Sequence, residues 1–213
     1  MIGKLGKYLI VYAKRPLPGY AKTRLGKGIG KENAAGLYAR LLYGYLMDLV
    51  CAGLENTEIE LSVASPDDVP FFSSAFPELI VHPQIDGDLG QRMAASFARA
   101  FGRGAASVVL TGSDIPGLDS TFVRMAFQKL EAAPVVLGPA ADGGYYLIGM
   151  RAPHACLFEG VTWSTDRTLA QTEALAHAQG LEIAHLSQLY DIDTRTEYER
   201  WRAARASTEA NQS

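Results

Sequence analysis

The sequence predicts an α/β protein built on a mixed, mostly parallel sheet with helices on both faces. Three observations carry that reading. Short apolar runs alternate with segments of helical periodicity, and parallel strands need such crossover connections. The clearest strand candidates end in clusters of glycine, proline and charged residues, where ligands of such sheets bind. The 213 residues, 48% hydrophobic and 20% charged, suffice for one substantial core and are few for two.

The elements follow in order. Tyr8–Ala13 is an aliphatic, β-branched run that stops at a Lys-Arg-Pro-Leu-Pro-Gly turn cluster, the mark of a buried strand. Ala34, Leu37, Tyr38, Leu41, Leu42, Tyr45, Leu46 and Leu49 recur at helical spacing and define an amphipathic helix, its tyrosines core or rim residues. Ile59–Ala64 and Ser107–Thr111 read as strands, with a helix over Gly90–Phe101 between them. Val135–Gly138 and Tyr145–Met150 supply two more, and Thr165–Gln179 a helix capped by the Ser164–Thr165 hydroxyls. Ile183–Leu186 is the last strand. Thr194 and Glu197 have capping-box spacing for a final helix through Arg202. Neither a linker nor a repeat divides the chain, so residues 1–205 are expected to form one domain and residues 206–213 a disordered tail.

A formal net charge of −3 provides no global field for nucleic acid or an anionic membrane, so neither is expected as a partner, and phosphate binding has to be built locally. Cys51 and Cys156 stand far apart without a second pair, against a disulfide scaffold or zinc site and in favour of a reducing cytoplasm. The apolar run near the N-terminus is too short for a signal segment or membrane span.

The loop after the first strand gathers Lys14, Arg15, Lys22 and Arg24 within eleven residues, constrained by Pro16, Pro18 and Gly19. Four cations this close repel one another unless an anion fills the space, and Lys and Arg together suit a di- or triphosphate. The loop is therefore read as a phosphate grip rather than a solvated charge run. It is neither a Walker loop nor a G-x-G-x-x-G turn, which removes the main support for a P-loop kinase or a nicotinamide dehydrogenase.

Three acidic segments sit at strand ends. Asp114 follows Ser107–Thr111 behind a small Gly-Ser step, and a carboxylate there can hold Mg²⁺ against phosphate oxygens, although it can equally cap a turn. Asp191 and Asp193 follow the last strand at i, i+2 spacing, and either can complete a metal site or cap the final helix. Asp142 precedes Gly143-Gly144, a hairpin signal that also permits close backbone approach to a ligand.

Together the strings YAKRPLPGYAKTRL, GDLGQRM, GSDIP, GPAADGGYYLIG, VTWST and DIDT resemble a bacterial family of GT-A-fold, glycosyltransferase-like proteins in the nucleotide-diphospho-sugar transferase group, related to 2-phospholactate guanylyltransferase. The resemblance implies a Rossmann-like three-layer α/β/α GT-A fold with its nucleotide site at the carboxyl ends of the first strands. It also implies a metal, Mg²⁺ or Mn²⁺, with Asp114 at the acidic ligand position and Asp193 like the second ligand of sugar nucleotidyltransferases. Ser113-Asp114-Ile115 stands where a full Asp-x-Asp motif is usual. Gln84 falls where related nucleotidyltransferases read the base edge. Arg92 is open between a structural role and a phosphate contact, and Trp163 is read as a half-buried core residue.

The expected activity is that of a transferase. In nucleotidyl transfer, Lys14, Arg15, Lys22 and Arg24 bind a nucleoside triphosphate, and Lys22, Arg24 and Asp114 serve transfer of its nucleotidyl group to a phosphorylated acceptor with release of pyrophosphate. The alternative is glycosyl transfer from a nucleotide-sugar, with Asp142 as general base. A non-catalytic nucleotide-binding module is the third possibility.

Overall fold

The computed structural model of the chain describes residues 6–210, with side chains through 206. Seven strands form one sheet in the order β3-β2-β1-β4-β6-β5-β7. They are β1 (Lys7–Ala13), β2 (Thr57–Val63), β3 (Ile80–Pro83), β4 (Ser107–Thr111), β5 (Val135–Pro139), β6 (Tyr145–Met150) and β7 (Ile183–His185). Only β6 runs against the others, pairing antiparallel with both β4 and β5. The helices are α1 (Thr23–Ile29), α2 (Lys31–Ala52), α3 (Val69–Ala75), α4 (Leu89–Gly102), α5 (Ser120–Lys129), α6 (Thr168–Ala178) and α7 (Arg195–Ala210). Among the described residues, no helix is long and apolar enough to cross a membrane.

Alternation along β1 builds the layers. Leu9, Val11 and Ala13 face a core shared with α2, α3 and α5; Tyr8 and Ile10 face the opposite core, shared with α4 and α6. Successive strand side chains point to opposite faces, so a run buried on both sides requires a helix layer on each. A third, smaller cluster joins Leu25 of α1, Ala34 and Leu37 of α2, Ile192 ahead of α7, and Trp201 of α7. It docks the last helix beside the first, which brings Asp193 next to Lys22 and Arg24.

Several elements depart from expectation. The helix expected from Thr165 begins at Thr168, and its hydroxyls do not cap it: Thr165 Oγ1 donates to the Thr162 carbonyl, and Ser164 takes φ 61°. Those residues close a turn before the helix instead. α7 continues to Ala210, past Arg202, because Ala203–Ala210 holds neither Gly nor Pro to stop it. Residues 211–213 of the expected tail lie outside the described residues. Four elements were not anticipated: α1, α3, β3 and α5. Strand β3 spans four residues at the sheet edge, too few for a readable alternation. Helix α5 did carry a signal, since Asp119 accepts from the Thr121 and Phe122 amides as its N-cap.

Candidate active site

The candidate site lies at the carboxyl ends of β1 and β4, closed on one side by the β5–β6 hairpin and on another by residues 189–193. Lys14 follows β1, and its N–H donates to the Tyr38 hydroxyl at 2.9 Å. Tyr38 lies 3.0 Å from Ser113 Oγ, which donates to the Tyr12 carbonyl at 2.7 Å. Each hydroxyl thus has a donor and an acceptor, and the buried chain locks Gly112–Asp114 against the end of β1. Ser113 serves this lock, leaving Asp114 to face outward.

Asp114, Asp142 and Asp191 line one open cleft, whose walls include Leu89, Tyr145, Trp163 and Thr165. Its far wall is the turn before α6, and that turn reaches the hairpin only because residue 143 is glycine. Gly143 has φ +86°, and an added Cβ would stand 2.3 Å from the Asp166 carbonyl oxygen. Asp142 Oδ1 accepts from the Gly144 amide at 2.9 Å, so the carboxylate shapes the turn while facing the cleft. Trp163 packs on Phe158 as a core residue, with ring centroids 6.3 Å apart, and it also lines the cleft. The indole sits so close to α4 that a Cβ on Gly90 would lie 2.6 Å from it.

Of the four loop cations, Lys22 alone is buried among acids. Its side chain is 3% exposed, and Nζ lies 2.8 Å from Asp114 Oδ2 and 3.0 Å from Asp193 Oδ1. Lys22 takes the left-handed conformation, φ 47°, immediately before α1. A non-glycine residue tolerates this only where surrounding contacts over-determine it. Burial alone would lower the ammonium pKa, but the two carboxylates outweigh it and hold it above its ordinary value. Arg24, in the first turn of α1, reaches Asp193 at 3.6 Å with its side chain 69% exposed. The mutual repulsion expected of the loop is thus relieved by protein carboxylates.

Other expected contributors stand further out. Arg15 stacks its guanidinium over the Phe71 ring at 4.5 Å, and its N–H donates to Asp68. Lys14 Nζ lies 6.0 Å from the Tyr20 ring centroid. Gln84 follows the edge strand β3 and donates Nε2 to the Ser62 carbonyl at 3.0 Å, outside the acidic cleft. Arg92, in the first turn of α4, has a buried Nε without a hydrogen-bond partner.

Asp191 and Asp193 separate by face. Asp193 engages Lys22 and Arg24, whereas Asp191 lines the cleft with a buried Oδ1 that lacks a partner. Burial first, then the charges of Asp114, Asp142 and Asp193, push the Asp191 carboxyl up to about 7 against the opposing pull of Lys22. Among the described residues, no three His, Cys, Asp or Glu side chains stand at metal-binding spacing. Thr165, Thr168 and Tyr145 also line the cleft and were not assigned to the site from sequence; the VTWST and GGYYL strings around them were the available signal.

Sheet order, reversed β6 and acidic cleft define a GT-A-like, nucleotide-diphospho-sugar-transferase type of fold. The chain belongs to the family DUF2064, uncharacterized proteins conserved in bacteria, whose profile matches residues 47–165. It is similar to a Desulfovibrio desulfuricans G20 protein provisionally described as a nucleotide-diphospho-sugar transferase. The two are 33% identical with TM-score 0.81 over 88% of this chain and 82% of the other. A CMP:2-keto-3-deoxy-manno-octonic acid synthetase solved with CTP shares the fold at 15% identity and TM-score 0.58, over 95% and 99% of the two chains. Glucosyl-3-phosphoglycerate synthase of Mycobacterium tuberculosis, solved with Mn²⁺, UDP and glucosyl-3-phosphoglycerate, shares it at 13% and TM-score 0.53, over 90% and 75%. No curated protein matches the chain. These structural neighbours are transferases of the nucleotidyl and glycosyl kinds.

Proposed function

We propose that the protein is a divalent-metal-dependent nucleotidyltransferase that joins a nucleoside triphosphate to a phosphorylated small-molecule acceptor. The observation that carries the reading is the buried Lys22 ammonium, set between Asp114 and Asp193 at the edge of an acidic cleft with Arg24 beside it. In this reaction an acceptor phosphate oxygen bonds to the α-phosphorus, the bond to the β-bridging oxygen breaks, and pyrophosphate leaves with the electron pair. Charge grows on the leaving group, and fixed cations beside it stabilise the transition state more than the ground state. Lys22 and Arg24 take that role, with Lys14 and Arg15 extending the positive field along the loop. Gln84 is assigned to the base; its Nε2 is committed to Ser62, so Oε1 is the atom for a base-edge donor.

The residues present fit a divalent metal. The donors are oxygens, which Mg²⁺ and Mn²⁺ take, and Asp191 Oδ1 is buried without a partner. Asp114 and Asp191 would hold the ion, with substrate phosphates and water as its remaining ligands. When bound it supplies Lewis-acid neutralisation of phosphate oxygens. Asp193 is assigned to holding Lys22. The CTP and Mn²⁺–UDP complexes of the two neighbours accord with a nucleotide and a divalent ion.

Glycosyl transfer is the second reading, favoured by the description of the 33% identical relative. There Asp142, exposed on the hairpin and facing the cleft, is the general base for an acceptor hydroxyl. One assay separates the two: each nucleoside triphosphate with Mg²⁺ or Mn²⁺ and a panel of small-molecule phosphates, following pyrophosphate. The expected result is metal-dependent pyrophosphate release, reduced about 100-fold or more in Asp114→Asn with an unchanged circular dichroism spectrum. Consumption of a nucleotide-sugar with an acceptor, and no pyrophosphate from any triphosphate, overturns the first reading.

A further inference from the structure

Asp142 and Asp191 line a second cavity as well as the cleft, so the two spaces share a carboxylate wall. This cavity lies between the β5–β6 hairpin, Tyr190 and α7. Its surface is chemically unlike the cleft. Tyr190 is 45% exposed, and Trp201, Ala141 and Ala204 add apolar surface. Two charged side chains of α7 stand at it. Glu197 is an ionised carboxylate held in place, its Oε2 accepting from the Asp193 and Thr194 amides at 2.8 Å each. Arg200 lines the cavity and makes no ion pair among the described residues. Among the described residues the space therefore offers aromatic and aliphatic walls with Arg200 as its cation, and its other end opens on the acids of the reaction cleft. Arg200 suits an acid group through its planar fork, and the tyrosine ring suits a flat or branched carbon body.

We propose that this cavity is the acceptor site, taking a small molecule with an apolar carbon body and an acidic group, carboxylate or phosphate, paired with Arg200. The body packs between Tyr190 and α7, and a second group at its other end, the reacting phosphate of the reading above, points past Asp142 and Asp191 into the cleft. The proposal rests on the transferase reading above for what the ligand does, but not for its binding.

Calorimetric titration of the intact protein with phenyl phosphate, phenylacetate and uncharged benzyl alcohol tests it, with a separate titration of nucleoside triphosphates and Mn²⁺. At least one of the two acids is expected to bind more tightly than benzyl alcohol, and the better one identifies the acid group. Arg200→Gln is expected to weaken acid binding about tenfold. Ala204→Trp, which fills the cavity from the exposed face of α7, is expected to abolish it. Both variants retain wild-type nucleotide affinity and far-ultraviolet circular dichroism. No binding of either acid, binding unchanged in both variants, or displacement of the acid by nucleotide overturns the proposal. Loss of nucleotide binding in the wild type, with acid binding intact, sinks the transferase reading and leaves the cavity assignment standing.

Discussion

Asp191→Asn is expected to stabilise the metal-free protein while abolishing its turnover. Asp191 is a half-buried acid of the cleft with a buried Oδ1, raised from 3.8 to about 7 by burial and by the neighbouring carboxylates. A carboxyl whose folded pKa exceeds its unfolded one binds more protons in the native state, so stability falls as pH rises between the two values. Here the window runs from about pH 4 to about pH 7, and the penalty is fully present above about pH 8. Three pH units at 1.36 kcal/mol each set a ceiling of about 4 kcal/mol, and water entering the open cleft brings the expected value to about 2–4 kcal/mol. Asparagine keeps the shape and removes the charge. Urea unfolding of both proteins in EDTA should give equal stability near about pH 4 and a variant more stable by that amount at about pH 8. A variant that is no more stable at the higher pH, or a difference independent of pH, refutes the placement of an uncompensated carboxylate in the cleft.

Two further outcomes follow from the same geometry. Lys22→Met leaves Asp114 and Asp193 without their shared ammonium; because these acids are 40% and 34% exposed, the cost is expected at about 1–3 kcal/mol, below that of a fully buried pair. Mn²⁺ should raise the melting temperature of that variant more than that of the wild type, and equal shifts would show that Lys22 does not neutralise the acids. Gly143→Ala forces a Cβ into the Asp166 backbone at a positive φ, and a loss of about 2–4 kcal/mol is expected in thermal unfolding, with wild-type stability contradicting the observed seat of the α6 turn.

Much of the fold was legible because its strands are buried on both faces. Ser107–Thr111 and Tyr145–Met150 read at their observed limits, since apolar runs bounded by turn residues leave little freedom. Strand direction was less legible: nothing within Tyr145–Met150 marks it as the reversed strand, although the Asp142-Gly143-Gly144 hairpin signal before it does. Helix α1 escaped because seven residues with two glycines show almost no periodicity, and Leu25 is its one buried residue. Its formation depends on Leu25 packing with α2 and α7.

The division at the site has a clear physical basis. By itself the sequence determined which side chains stand at strand ends: the cations Lys14, Arg15, Lys22 and Arg24 and the acids Asp114, Asp142, Asp191 and Asp193. That follows from local rules of periodicity and turn chemistry. Only the tertiary structure decided their partners. Lys22 and Asp193 are separated by 171 positions and meet because α7 packs against α1 and α2. The same docking turns Asp193 toward the ammonium and leaves Asp191 facing the cleft. Contacts over such separations depend on how the helices and sheet pack, a property of the assembled core that no local stretch of sequence carries.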